Sequence, residues 1–182
     1  MSAPRILTPR LLLKRLVRRD AASMYRYRSD PEVSRYQGWR PEAVAEVEQF
    51  IQRMRNTGID VVDTWYQLGI YLRAGGRLIG DLGIHFLPPE NQQTEIGFTV
   101  SPDFQHRGYA AEAVRALITY LFQALHKHRI AASVDPRNTA SIVLLEKLGF
   151  RKEAHFRESL YLHGEWLDDM VYAVLYTEWK PE

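Results

Sequence analysis

The chain contains no cysteine in its 182 residues, which excludes disulfides, thiolate metal sites and a cysteine nucleophile. It also lacks any apolar run approaching the roughly 20 residues of a membrane-spanning helix. The opening MSAPRILTPRLLLKRLVRRD has no apolar core of the ~7–15 residues that a secretory signal needs, so a cytoplasmic protein with no membrane partner is expected. Neither sign of charge dominates: Lys and Arg total 24 against 22 Asp and Glu. No basic tail or cationic stripe is present, which speaks against nucleic acid as the main partner. The P-loop and dinucleotide-binding glycine signatures are missing as well.

What remains is a chain with 46% hydrophobic and 12% aromatic residues, the composition of a packed globule. At this length a single domain over 1–182 is the simplest reading. Thr8 to Val17 is expected as a first strand opened by Pro9, and Arg18 to Ser29 as a helix that stops at Asp30-Pro31. A second helix is expected over Pro41 to Arg55, with Val44, Val47, Phe50, Ile51 and Met54 on one face. Trp65–Arg73 and Leu78–Phe86 around Gly75-Gly76 read as a β-hairpin, joined by Thr94–Val100 as a third antiparallel strand. Gly108 to Leu125 carries a buried stripe from Ala113 to Leu125 and reads as a long helix. A strand at 130–134, a helix ending at Leu148 with Gly149 as its left-handed cap, and closing strands at 150–156 and 165–179 complete the pattern. The fold class is α/β or α+β: a mixed, mostly antiparallel twisted sheet flanked by helices, with one crossover from Phe98 to Val134 that makes those two strands parallel.

The stretch PDFQHRGYAAE at 102–112 joins a strand directly to the long helix. A helix N-terminus has unpaired N–H groups and a partial positive charge, so it attracts anions. Gly108 permits an unusual dihedral or a close backbone approach, Ala110 and Ala111 leave the first turn uncluttered, and Arg107 adds a cation. The alternative is a plain turn with a solvated arginine.

PDFQHRGYAAEA resembles the Q/R-x-x-G-x-G/A pyrophosphate loop of the GNAT N-acetyltransferase superfamily. DPRNTASIVLLEKLGF at 135–150 is similar to that family's Asn-x-x-Ser and E-K-x-G-F segment. TPRLLLKRL, LIGDLGI, TEIGFTVSPDFQHRGYA and GEWLDDMVYAVLYTEW resemble the RimJ/RimL-like branch, which acetylates ribosomal-protein N-termini. The resemblance spans nearly the whole chain in the expected order.

It implies that acetyl-CoA enters a gap where strand 94–100 splays from strand 130–134. Backbone groups of Phe98, Thr99 and Val100 would line its pantetheine arm, and amides of Gln105, His106, Arg107, Gly108, Tyr109, Ala110 and Ala111 would receive its pyrophosphate. Asn138 would contact the cofactor near the thioester, or serve simply as an N-cap. Ser141 would present a hydroxyl to the leaving thiolate, the tyrosine of many relatives being replaced by Leu144 and Leu145. Glu95 is the candidate general base, with a structural pairing to Arg107 as its alternative; its pKa should rise on burial. His85 is an alternative base, His106 faces solvent or phosphate, and His126 and His128 do not make a metal pair; no metal is expected.

The implied reaction is direct acetyl transfer to an amine acceptor. Deprotonating a lysine amine at pH 7 costs about 4.6 kcal/mol, an α-amine only ~1–1.4 kcal/mol, which favours a protein N-terminus or another weakly basic small amine. The acceptor pocket is expected from Tyr25 to Tyr36, Trp39, His85–Phe86 and Tyr161 to Trp166, with Glu32, Glu90, Glu165, Asp168 and Asp169 as acidic groups. A homodimer is compatible with this reading. The rivals are a non-catalytic acyl-CoA sensor and an interaction module without a cofactor.

Overall fold

The computed structural model describes residues 3–180. Its centre is an eight-stranded sheet built from β1 (Arg5–Leu7), β2 (Leu11–Arg15), β3 (Thr64–Leu72), β4 (Leu78–Leu87), β5 (Gln93–Val100), β6 (Arg129–Val134), β7 (Arg151–Leu162) and β8 (Glu165–Leu175). The strand order is β1-β2-β3-β4-β5-β6-β8-β7. All neighbours are antiparallel except β5 and β6, which the 15-residue helix α4 (Tyr109–Gln123) connects, at the place the hydrophobic period requires. Four further helices are α1 (Ala21–Arg28), α2 (Pro31–Ser34), α3 (Val44–Asn56) and α5 (Thr139–Lys147); α1, α2 and α3 precede β3, and α4 and α5 lie between β5 and β7.

Apolar residues divide between the two faces of the sheet because successive strand side chains point opposite ways. Leu11 and Leu13 of β2 join a large cluster with Val114, Leu117, Ile118, Leu121 and Phe122 of α4 and Leu145 of α5. Leu12, between them, packs against the smaller cluster of Met24 and Tyr27 from α1 and Val47 and Ile51 from α3. Burying each such aliphatic or aromatic side chain is worth about 1.5–3 kcal/mol, so α4 is held by its whole inner stripe. That fixes the position of its first turn.

Four boundaries differ from the sequence expectation. The first strand is two: the chain reverses at Thr8–Arg10, where the Thr8 hydroxyl accepts the Leu11 amide at 2.8 Å and the Thr8 amide donates to the Leu11 carbonyl at 3.0 Å. The helix expected from Pro41 starts at Val44. The penultimate strand runs on to Leu162 through a bulge between Phe156 and Leu160, and the last ends at Leu175.

The parallel pairing of β5 with β6 covers only Gln93↔Arg129, Thr94↔Ile130 and Glu95↔Ala131. On its other side β5 stays paired with β4 through to Gly80↔Val100. Beyond Glu95, therefore, β5 keeps one neighbour and loses the other. The sheet opens there.

Candidate active site

The opening leads into a cleft of about 500 Å³, within the range of small-molecule and cofactor sites. Phe98, Thr99 and Val100 of β5 form one wall, and Asn138, Ser141, Leu144 and Lys147 of α5 with its cap form the other. Gln105, His106, Gly108, Tyr109, Ala110 and Ala111 close one end, while Glu32, Val33, Tyr36 and Gln37 border the cleft from the α2 side.

The closed end is shaped by backbone dihedrals. His106 has φ 59° and Gly108 φ 76°, both left-handed, and together they fold the loop into a concave turn of the kind whose amides converge on anions. Gly108 is the cap of α4, with no side-chain cap bond. The amides of His106, Arg107, Gly108, Tyr109, Ala110 and Ala111 donate to no protein acceptor among the described residues. Gln105 differs from the expectation: its amide donates to the Pro102 carbonyl at 3.2 Å, and its side-chain amide to the Val100 carbonyl at 2.9 Å. It ties the loop to β5 rather than offering a free main-chain donor. Arg107 lies outside the cleft wall; its carbonyl accepts from Arg10, and its guanidinium stands 5.7 Å over the Phe104 ring. The side-chain cation on the wall opposite β5 is Lys147, in the last turn of α5.

The Thr99 hydroxyl is buried with no hydrogen-bond partner, and Thr99 lines the cleft. A buried orphan of this kind is uncommon in native proteins. Asn138 caps α5, accepting the Ser141 amide on Oδ1 at 3.2 Å, and its amide nitrogen donates to no protein group among the described residues. The Ser141 hydroxyl is likewise without a partner among them. The structure thus gathers Phe98, Thr99, Val100, Asn138, Ser141 and the loop around one space. Unpartnered amides at one end, with a lysine and small polar groups along the wall, fit an acyl-CoA.

Glu95 does not line this cleft. It sits at the last parallel pair, opposite His85 on β4, and burial pushes its carboxyl above the usual range, with His85 lowering it and Asp169 raising it further. Arg107 makes no ion pair with it among the described residues. His85 stacks on Trp65 with ring centroids 4.8 Å apart. Asp169 accepts from the Ser133 hydroxyl at 2.6 Å. At the mouth, His163 in the β7–β8 turn contacts the Gln37 carbonyl at 3.1 Å, and the Tyr36 hydroxyl donates to the Arg137 carbonyl at 3.4 Å. Tyr161 and Trp166 pair nearby in sequence and remain about 60% exposed. Among the described residues no helix is long and apolar enough to cross a membrane.

A mixed sheet opened at one parallel pair, with two helix N-termini facing the gap, defines an acyltransferase class of fold. The chain belongs to the GNAT acetyltransferase family: residues 10–151 match the acetyltransferase (GNAT) domain. It is 33% identical over 178 residues to YnaD of Bacillus subtilis (strain 168), named an uncharacterized N-acetyltransferase, covering 96% of this chain and 99% of that one. It is 35% identical over 86 residues to the ribosomal protein uS5-alanine N-acetyltransferase of Escherichia coli (strain K12), covering 47% and 44%. A crystal structure of a GNAT-family acetyltransferase from Bacillus anthracis superposes with a TM-score of 0.86 at 28% identity, covering 96% of this chain and all 100% of that one. The protein is an N-acetyltransferase of this family.

Proposed function

We propose that the chain transfers the acetyl group of acetyl-CoA directly to a primary amine, with a protein N-terminal α-amine as the acceptor class. The observation that carries this reading is the loss of the β6 partner beyond Glu95↔Ala131, which opens a cleft ending at the unpartnered amides of the Gly108 turn. In this reading the pyrophosphate rests on the amides of residues 106–111, with Lys147 opposite, and the pantetheine arm follows Phe98 to Val100. The Asn138 amide supplies a polar partner along that arm.

The amine nitrogen forms a bond to the acetyl carbon as the carbon–sulfur bond breaks, giving an amide and free CoA thiol. The proton lost by the amine goes to Glu95, directly or through a water, since a carboxyl with a raised pKa is a better base than an exposed one. Ser141 donates a hydrogen bond to the departing thiolate, which takes its proton from solvent to give the thiol. Gly97, between Glu95 and Thr99 on the same face of β5, leaves open space where a Cβ would stand, so an acceptor can approach the thioester there. An α-amine needs only ~1–1.4 kcal/mol to be neutral at pH 7, which a single carboxylate can manage. The partial match to a ribosomal-protein alanine N-acetyltransferase supports the same class.

Radiolabelled acetyl-CoA offered with peptide N-termini, polyamines, amino acids and aminoglycosides tests the acceptor. Transfer to peptide α-amines is expected; transfer confined to polyamines or aminoglycosides overturns that part. CoA at 100 times its Kd should stabilise the fold by about 2.7 kcal/mol, and no shift with CoA overturns the donor.

A further inference from the structure

The Gly108 turn is held from behind by a residue from the other end of the chain. Arg10, in the turn between β1 and β2, donates from Nη1 to the Arg107 carbonyl at 3.0 Å. Its Nε donates to Glu112 Oε2 at 2.6 Å and its amide to Glu112 Oε1 at 2.9 Å. The guanidinium also lies 4.5 Å over the ring of Tyr109, the first residue of α4. Glu112 is gripped a third time by the Thr8 hydroxyl at 2.6 Å. Burial opposes ionisation of Glu112, but the hydrogen bonds from Thr8 and Arg10 prevail and its carboxyl lies below the usual range. Arg73 holds the far side of the clamp, donating to the carbonyls of Thr8 at 2.9 Å and Pro9 at 3.2 Å.

The consequence follows from peptide geometry. The Arg107 carbonyl and the Gly108 N–H belong to one planar trans unit and point in opposite directions; the cis bond among the described residues is Pro88-Pro89. A carbonyl fixed on Arg10, which lies outside the cleft wall, leaves the Gly108 N–H turned the other way, towards the cleft that Gly108 lines. The same guanidinium reaches Glu112, whose amide makes the first helical bond to the Gly108 carbonyl at 3.1 Å. One planar fork thus sets both the peptide before Gly108 and the first turn after it.

We infer that Arg10 is a positioning residue for coenzyme binding: through the Arg107 carbonyl and Glu112 it presets the loop amides in the orientation a pyrophosphate needs. This rests on the pyrophosphate seat proposed above. Preset donors bind more tightly because less ordering is left to be done on binding. A lysine cannot substitute, since its ammonium lacks the planar fork that meets two acceptors at fixed angles.

Calorimetric titration of the full chain with CoA, ADP and pantetheine tests this. In Arg10→Ala, CoA and ADP should each weaken on the order of tenfold, the loss expected for a charge-assisted hydrogen bond, while pantetheine binding is unchanged. Arg10→Lys, which keeps the charge, should behave as Arg10→Ala does, and it carries the test if the alanine variant does not fold. Wild-type CoA affinity in either folded variant overturns the inference, as does equal weakening of all three ligands, which marks a general loss of structure. If the unaltered protein binds CoA no more tightly than pantetheine, the pyrophosphate seat itself is overturned and the role of Arg10 with it.

Discussion

His85 and Glu95 stand directly opposite one another on β4 and β5, at the last rung before the sheet opens. His85 is backed by the Trp65 ring and by Asp63, 3.6 Å from its Nε2. Glu95 is left with a half-buried carboxyl whose pKa is raised chiefly by loss of solvent. Replacing Glu95 with glutamine keeps the size and removes the base. The expected outcome is a kcat loss of roughly a hundred- to ten-thousand-fold and disappearance of the acidic limb of the kcat/KM profile. An intact acidic limb removes Glu95 from the role.

The same shift carries a stability signature of definite sign. An acid with a raised folded-state pKa binds more protons folded than unfolded between the two values, so stability falls as pH rises through that interval. Below the unfolded value, near 4.3 for a model glutamate, the carboxyl is neutral in both states and carries no penalty. The melting temperature of Glu95→Gln should therefore exceed that of the unaltered protein at pH 7 by more than it does near pH 4. A constant difference between the two proteins across that range would rule out a desolvated carboxylate.

Gly108→Asp probes the loop at its cap, where a new Cβ would stand 3.4 Å from Arg10 Nη2. The φ of 76° at this position is costly for any residue with a Cβ, and the carboxylate adds a negative charge to the turn proposed to receive the pyrophosphate. A stability loss on the order of 1 kcal/mol should accompany a far larger loss of CoA affinity. Titration of a folded variant, verified by circular dichroism, is the measurement; unchanged affinity contradicts the seat.

The parts of this molecule legible in its sequence are those governed by local pattern. The inner stripe from Ala113 to Phe122 has the helical period and is buried as that period requires. Gly108 and Gly149 take the positive φ that their places at the ends of helices suggest. The hairpin of β3 and β4 follows from two apolar runs flanking Gly75-Gly76. What could not be read is set by contacts between distant segments. Arg10 and Arg107 are 97 residues apart, and His163 reaches Gln37 across 126. Lys147 lies in a helix whose facing partner is decided by the sheet order, so nothing local marks it as part of the cleft wall. The Thr8 turn did carry a signal, since Thr-Pro favours turn initiation, but the run of leucines after it reads more strongly as one strand.

Gly80 predicts how narrow the tolerance of β5 is. A Cβ at this position would stand 2.3 Å from the Thr99 carbonyl oxygen, and backbone on a paired central strand has little room to yield. Gly80→Ala should displace the Thr99 peptide, costing about 1–3 kcal/mol as overpacking does. Because that peptide lines the cleft, pantetheine binding should weaken too, unlike the outcome for Arg10 variants. A stability loss with pantetheine affinity intact would separate Thr99 from the arm.

Asp81, with no exposed surface, lies beside Thr99 in the β4–β5 ladder and gathers four donors. It accepts from the Tyr27 hydroxyl at 2.8 Å, from Arg28 through both Nε and Nη2, and from the Gln67 amide. Tyr27, buried beside this carboxylate, has its hydroxyl held well above its ordinary pKa, first by burial and then by the charge of Asp81. Asp81→Asn is nearly isosteric, yet it turns one acceptor oxygen into an NH2 group among donors and leaves the Arg28 guanidinium without a counter-charge. Breaking one partner of such a buried pair costs about 3–5 kcal/mol, whereas replacing the pair by apolar residues of similar volume is often close to neutral. Urea denaturation of Asp81→Asn should show a lower midpoint with an unchanged slope. The double variant Asp81→Leu with Arg28→Met should recover much of the loss, a coupling that single substitutions cannot show. If the double variant is as unstable as the sum of the two single ones, the buried charge pair is not what holds α1 against β4.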